Sequence, residues 1–186
     1  LTKTEDNPSN VFATWNPLAK PWAGNTTWTY GNTRGYNSDS NKGSLVTTLG
    51  ATSGKYYMEV KQENSNSVWI GVAGEGFVSD NVYNKYSGQT QNANTGLLLK
   101  LSDGTRAVNA TQTNSVFATT GQGDITGIAL DLDASTRTVT FYKNGVADSA
   151  GAQNLPTNMQ TGAVFGCAIV YGGSAVNLNA GNGYFA

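Results

Sequence analysis

Short stretches of alternating apolar and polar residues recur along the chain, and each ends at Gly, Asn, Asp or Ser. A period of two places successive side chains on opposite faces of a β-strand. Strands closed in this way by turn-forming residues are typical of an all-β sandwich or barrel. The pattern predicts strands at 44–49, 55–62, 67–73, 96–101, 104–109, 124–132, 136–143, 162–171 and 174–178.

The stretch 130–145, LDLDASTRTVTFYKNG, shows the alternation most clearly. Its two acids, Asp131 and Asp133, alternate with leucines, so we expect them on one face of one strand, about 7 Å apart by strand rise. Asn144 and Gly145 follow the second strand, and this dipeptide is a strong signal for a tight hairpin turn. The stretch therefore predicts a hairpin.

The two aspartates have three interpretations. Their spacing resembles the catalytic strand of laminarinase-type glycoside hydrolases, in which an acid and a nucleophile flank one glycosidic bond. That strand carries Glu-x-Asp-x-x-Glu, whereas Thr136 stands at the third position here, so the motif is incomplete. A calcium site that combines Asp131 or Asp133 with loop carbonyls is a weaker alternative. We favour a solvated strand face with an Asp at the turn, and therefore no catalytic residues.

Composition narrows the classes of function. Charged residues make up 12% of the chain and the net charge is −1, without a run of either sign, so we expect neither nucleic acid nor an anionic membrane surface as a partner. No apolar run approaches the roughly 20 residues that span a bilayer, so membrane insertion is not expected. Histidine is absent, which removes the usual general base and the commonest metal ligand. We expect no enzyme, no cofactor, and a buried, inert thiol at Cys167.

Two regions are less regular than the rest. Residues 1–40 hold three of the four prolines and three of the four tryptophans, which predicts an ordered N-terminal segment packing on a sandwich formed by 41–186, within a single domain. Residues 74–95 have loop composition with aromatic residues spaced through them, and long loops in compact domains are often functional. The first residue is Leu1 rather than Met, which indicates a processed product or an excised fragment.

Several motifs occur in the order found in SPRY domains. They are SGKYYMEV (53–60), VWIGVA (68–73), GDITGIALDLDASTRTVTFYKNG (123–145) and AVNLNAGNGYF (175–185). The chain resembles this family from about residue 53 to 185, which implies an antiparallel two-sheet β-sandwich of the concanavalin A-like jelly-roll type. Residues 6–18, DNPSNVFATWNPL, are similar to the opening of SPRY-like proteins encoded in tailed-phage genomes. That similarity implies a virion protein associated with the tail, a fibre or the capsid.

The resemblance implies a non-catalytic binding or structural module whose loops contact other virion proteins or a receptor or glycan on the host surface. Loops on a rigid sandwich vary without disturbing the core, and aromatic side chains contribute contact area at low entropic cost. The candidate contact residues are Trp22, Trp28, Tyr30, Tyr36, Tyr83 and Tyr86. For Trp22 and Trp28 the alternative is that they fix the N-terminal segment to the sheet.

Alternative functions follow from the same features. A lectin-like carbohydrate-binding domain would use the exposed aromatic rings together with Asn and Asp side chains. A glycoside hydrolase is less favoured, because no spacing in the sequence selects a pair of carboxylates. The expected location is the phage particle, or otherwise an extracellular or soluble setting.

Overall fold

The computed structural model describes residues 11–19, 25–38, 42–64, 68–79, 96–108, 111–183 and 185. Fourteen strands lie in these ranges: β1 (Thr26–Thr29), β2 (Arg34–Asn37), β3 (Gly43–Ala51), β4 (Lys55–Gln62), β5 (Val68–Gly74), β6 (Gly96–Lys100), β7 (Arg106–Val108), β8 (Thr111–Thr113), β9 (Ile125–Asp131), β10 (Thr138–Lys143), β11 (Val146–Ala147), β12 (Gln153–Asn154), β13 (Val164–Val170) and β14 (Ser174–Asn179). Helical structure in the same ranges is limited to α1 (Glu75–Ser79) and a 3₁₀ helix at Thr157–Met159. None of it is long and apolar enough to cross a membrane.

The strands form two antiparallel sheets. One has eight strands in the order β1-β2-β14-β4-β9-β10-β11, with β12 also paired to β10. The other has six strands in the order β3-β13-β5-β6-β7-β8. The predicted all-β, two-sheet antiparallel sandwich is therefore confirmed.

The predicted hairpin is also present. Asn144 and Gly145 have φ values of 49° and 82°, as a type I′ turn requires, and they join β10 directly to β11. Asp131 ends β9 and Asp133 lies in the connection that follows, so the two acids do not share one strand, and Asp133 is the Asp at the turn of the favoured interpretation. The carboxylate of Asp131 accepts hydrogen bonds from the backbone N–H groups of Asp133 and Ala134, and this local turn ends the strand.

The main core lies between the two sheets. It is built from side chains that face inward at alternate strand positions, together with Trp15 of the N-terminal segment. A second cluster covers the outer side of the six-stranded sheet and contains Trp69, Phe77 and Cys167. The Cys167 thiol is fully buried, and this burial raises its pKa, so the thiolate is disfavoured.

The N-terminal segment connects the two sheets. The backbone N–H of Trp15 donates to the carbonyl of Asn32, in the turn between β1 and β2, at 2.8 Å. The N–H of Asn16 donates to the carbonyl of Val46, in β3 of the other sheet, at 2.7 Å. Residues 26–37 form strands of the eight-stranded sheet itself. A division of the chain near residue 40 stays a prediction.

Candidate functional site

A β-bulge interrupts the pairing between the edge strand β3 and its neighbour β13. Three residues of β3, 47–49, lie opposite the single residue Gly166. The hydroxyl of Thr47 accepts a hydrogen bond from the Gly166 N–H at 3.0 Å and donates to the carbonyl of Leu49 at 2.8 Å. A bulge bends the strand that carries the extra residues. A groove between the sheets lies beside this bulge and is lined in part by Thr47, Leu49 and Gly166.

The apolar groove, as we call it, has a volume of about 390 Å³ and is lined by Val11, Ala13, Thr47, Leu49, Gly50, Ala51, Tyr56, Tyr57, Met58, Val72, Ile128, Leu130, Val164, Gly166 and Ala180. None of these side chains carries a charge. Seven large apolar side chains are exposed in the described part of the chain, and four of them line the groove: Val11 (60%), Leu49 (48%), Tyr56 (53%) and Tyr57 (50%). The groove is therefore the main concentration of exposed apolar surface among the described residues.

The aspartates of the hairpin hold the turn beside this groove. Asp131 forms an ion pair with Lys55 at 2.8 Å, and the Lys55 hydrogen bond is the largest cause of the lowered pKa of the Asp131 carboxyl. Asp133 accepts a hydrogen bond from the N–H of Gly54 at 2.7 Å. Both oxygens of Asp131 and one oxygen of Asp133 therefore take part in contacts that order the turn. In the described ranges, moreover, no three Asp, Glu, His or Cys side chains come close enough together to hold a metal ion.

Arg137 also holds the turn at 52–54, a role that the sequence did not indicate. Its guanidinium is buried and donates to the carbonyls of Met159 at 3.1 Å, Gly162 at 2.9 Å and Thr52. These carbonyls belong to two separate segments, so one side chain ties the turn at 52–54 to the end of the 3₁₀ helix and the residues after it, 159–162. Asp133 and Arg137 therefore both hold the turn at 52–54, next to Tyr56 at the rim of the groove.

The outer face of the eight-stranded sheet carries a second feature, which we call the tyrosine platform: Tyr57, Tyr142, Glu59 and Gly127. The rings of Tyr57 and Tyr142 meet edge to face with their centroids 6.0 Å apart. The Tyr57 hydroxyl reaches over Gly127 and donates to the Glu59 carboxylate at 3.1 Å. Partial burial and the negative charge of Glu59 raise the pKa of Tyr57 to about 12, so the phenol is neutral at physiological pH.

Another polar cluster lies further along the same face. The Arg34 guanidinium forms two hydrogen bonds of 2.7 Å with Glu63, and Asn177 donates to the same carboxylate at 2.7 Å. The guanidinium also lies over the ring of Tyr36, 5.4 Å from its centroid. Arg34 lowers the pKa of Glu63, chiefly through the hydrogen bond. Tyr36, one of the predicted contact residues, is thus part of an ordered ionic cluster.

Two of the other predicted contact residues, Trp28 and Tyr30, are described by the structure, and they lie in different surroundings. Trp28 is partly buried and packs against the main core, as expected of a residue that fixes the segment. Tyr30 is 67% exposed at the tip of the β1–β2 hairpin, with a positive φ of 53°. The remaining three, Trp22, Tyr83 and Tyr86, lie outside the described residues. The sequence reasoning missed the groove-lining side chains, although the adjacent tyrosines 56 and 57 stood within a quoted motif.

The chain is similar to SPRY domains, both in sequence and in structure. The family model for the SPRY domain matches residues 55–183, more than half of the chain. The solved SPRY domain of human HERC1 is 18% identical, with a TM-score of 0.68, and the alignment covers 90% of this chain and 98% of that one. Another human SPRY domain, also 18% identical, has a TM-score of 0.63 with coverages of 82% and 94%. The PSpry domain of TRIM65 is 13% identical, with a TM-score of 0.62 and coverages of 90% and 92%.

At these identities the solved structures show the fold, and the family model shows the family. None of the curated proteins matches the sequence significantly. SPRY domains are typically modules of protein–protein interaction. The order of sequence motifs, the two-sheet antiparallel sandwich and the family match agree, and the chain belongs to the SPRY domain family.

Proposed function

We propose that this SPRY domain is a non-catalytic module that binds a protein partner through the apolar groove. The observation that carries the proposal is the clustering of exposed apolar side chains around a pocket that reaches the core. Val11, Leu49 and Tyr56 stand at its rim, while Val72 and Ile128, both nearly inaccessible to solvent, lie at its floor. Contiguous exposed apolar surface on a soluble domain commonly marks an interaction site.

The shape and chemistry of the groove indicate what it accepts. Its volume and uncharged lining suit a bulky apolar side chain of the partner, inserted as an anchor. The ion pair between Lys55 and Asp131 lies close to this opening and supplies polar groups at its margin, the usual arrangement around an apolar interface core. An acidic or phosphorylated partner residue would find no counter-charge among the lining residues.

The rim is organised before a partner arrives. Asp133 binds Gly54, and Arg137 binds the carbonyl of Thr52, so the turn at 52–54 makes directed contacts on both sides. Ordering a loop upon binding costs free energy, and a preformed rim avoids most of that cost. This arrangement supports a binding role for the adjacent surface.

The setting that we propose is a phage particle, as a tail, fibre or capsid-associated component. It is supported by the similarity of residues 6–18 to the opening of SPRY-like proteins of tailed phages. The partner would then be another virion protein or a host-surface receptor. We propose additional contacts at two residues that the structure describes, Tyr30 and Tyr36. Trp22, Tyr83 and Tyr86 also remain proposed contacts. Carbohydrate binding, the alternative function, concerns the surface beside the tyrosine platform, which borders the groove at Tyr57.

Site-specific photo-crosslinking tests the proposal. A photoreactive amino acid is placed at position 49, in the rim, and at position 146, where Val146 is also highly exposed but lies on β11. Each protein is irradiated with the purified proteins of the particle. We expect one discrete adduct from position 49 and none from position 146. Equal labelling from both positions, or from neither, would count against the groove.

A further inference from the structure

A shallow trough of about 490 Å³ adjoins the tyrosine platform on the outer face of the eight-stranded sheet. Two cross-strand rows form it. The first row runs from Tyr57 through Ala129 to Thr140, and the second runs from Lys55 through Asp131 to Thr138. Ala129 and the two threonines supply small side chains, Tyr57 supplies an aromatic ring at the β4 side, and the ion pair of Lys55 with Asp131 lies in the second row.

We propose that this trough binds an uncharged sugar unit of a glycan, whose apolar face packs on the ring of Tyr57. Half of the Tyr57 side chain is exposed, although its hydroxyl reaches across the sheet over Gly127. A Cβ at position 127 would lie 2.3 Å from that hydroxyl, so the glycine makes room for this position of the ring. Aromatic rings combine an apolar face with low conformational freedom, which suits the C–H face of a pyranose.

The polar groups of the trough suit the hydroxyl groups of a sugar. Asp131 supplies an acceptor, the Lys55 ammonium supplies donors and is 72% exposed, and the threonine hydroxyls act as either. Sugar hydroxyls need donors and acceptors close together, because each hydroxyl both gives and receives a hydrogen bond. The second row of the trough offers this mixture within one cross-strand spacing.

The charges favour a neutral ligand. Lys55 and Asp131 are 2.8 Å apart, and each compensates the other. A phosphate or an acidic sugar would compete with Asp131 for Lys55, whereas a neutral sugar can bind both groups without separating them. Neutral hydroxyl groups therefore complement the trough better than an ionised group does.

The strand order disfavours a peptide as the occupant. A peptide that binds to a sheet commonly adds a strand at an unpaired edge. The trough lies on β4, β9 and β10, and each of these is paired to neighbours on both sides. Their backbone groups are therefore engaged within the sheet, and contacts with a ligand must come from side chains.

This inference is independent of the proposed protein partner. The trough and the apolar groove share Tyr56, Tyr57 and Leu130, whereas Thr140 lines only the trough and Leu49 only the groove. Substitutions at these two unshared positions distinguish the sites. Thr140→Val removes a hydroxyl and keeps a β-branched side chain suited to the strand. Leu49→Asp changes the groove and leaves the trough untouched.

The experiment is a titration of the whole 186-residue protein with neutral trisaccharides of glucose, galactose, mannose or N-acetylglucosamine, followed by NMR. Sialyllactose serves as an acidic sugar probe. A peptide library, titrated at neutral pH, represents peptides as the alternative class of ligand. We expect one neutral trisaccharide to bind with a Kd on the order of 1 mM, a weak single-site affinity. Tyr57→Ala and Thr140→Val should each weaken it by about tenfold or more. Tyr57→Phe and Leu49→Asp should leave it within about threefold.

Several outcomes would overturn the inference. It fails if no neutral trisaccharide binds at roughly ten times that concentration, or if only sialyllactose or peptides bind. It also fails if Thr140→Val, with wild-type chemical shifts outside the trough, retains full affinity. Thr140→Val keeps the inference testable even if Tyr57→Ala does not fold. Loss of partner crosslinking from position 49 would not affect this result.

Discussion

The carboxylate of Asp133 accepts a hydrogen bond from the backbone N–H of Gly54 at 2.7 Å, across 79 positions of sequence. This contact connects the β9–β10 hairpin to the β3–β4 turn, beside which Tyr56 begins the rim of the apolar groove. An acid that suggested catalysis by its spacing is thus a structural acceptor. Together with the Lys55 pair of Asp131, it makes the hairpin a support for the surface that we propose to bind a partner.

Replacing Asp133 tests that support. Asp133→Ala removes the acceptor for Gly54 and should lower the free energy of unfolding by about 1 kcal/mol, the usual net contribution of one hydrogen bond. Asp133→Asn retains an acceptor oxygen and should recover part of the loss. Urea denaturation of the three proteins measures the difference. Identical stability of Asp133→Ala and the wild type would show that the contact does not hold the turn.

Arg137 should be far less tolerant of substitution. Arg137→Met leaves the carbonyls of Thr52, Met159 and Gly162 without this donor in a buried setting, and each buried acceptor without a partner is costly. We expect a loss of about 3 kcal/mol in the free energy of unfolding. The stability of Arg137→Lys should lie between those of the wild type and Arg137→Met, because an ammonium does not reproduce the planar fork of a guanidinium. Chemical denaturation with matched m-values provides the measurement, and a loss below that of Asp133→Ala would contradict the expectation.

Gly166 offers a way to fill the groove from inside. A Cβ at this position would lie 2.5 Å from the sulfur of Met58 and 3.0 Å from the Thr47 methyl, so Gly166→Ala should displace the flexible Met58 side chain toward the groove. We expect weaker partner binding, and a loss of about 1 kcal/mol in stability. Gly121→Ala is the matched control, because its Cβ would meet no atom within 4 Å. Equal partner affinity of the two variants would argue against an occupied groove.

The ion pair of Glu63 with Arg34 predicts a specific pH dependence. The pKa of Glu63 lies below its usual 4.5 in the folded protein, so the folded state favours the ionised carboxylate. Its contribution to stability is present above the unfolded pKa and is lost as the pH falls through the folded value. Melting temperatures measured from pH 7 downward should therefore fall more steeply for the wild type than for Glu63→Gln. Parallel curves would show that the pair does not contribute.

The sequence predicted the central strands because their alternation is local. Lys55–Gln62 was predicted with its observed limits, and Asn144-Gly145 formed the expected turn. The strands β1 and β2, TTWT and RGYN, were missed because their inward positions are not a run of apolar residues. Pairing with β14, near the end of the chain, places them in the sheet.

The groove could not be predicted, since it depends on register rather than on composition. The bulge beside it brings Thr47 to Gly166, 119 positions apart, and no local pattern records that pairing. Arg137 likewise reaches Thr52 across 85 positions. The aromatic residues singled out by the sequence were chosen for their chemistry, which does not specify the face. Trp28 faces the core, whereas Tyr36 lies on the opposite side of the same sheet.

Partner affinity shows whether the apolar groove is the binding surface that we propose. Leu49→Asp places a charge at the exposed rim, and Val146→Asp places the same charge at a still more exposed position on β11. Calorimetric titration with the protein crosslinked from position 49 compares both variants with the wild type. We predict that Leu49→Asp raises the Kd by about tenfold or more, because it places a charge in the apolar rim, while Val146→Asp leaves the Kd unchanged. Equal affinities for Leu49→Asp and the wild type, with both proteins folded, would show that the partner does not bind in the groove.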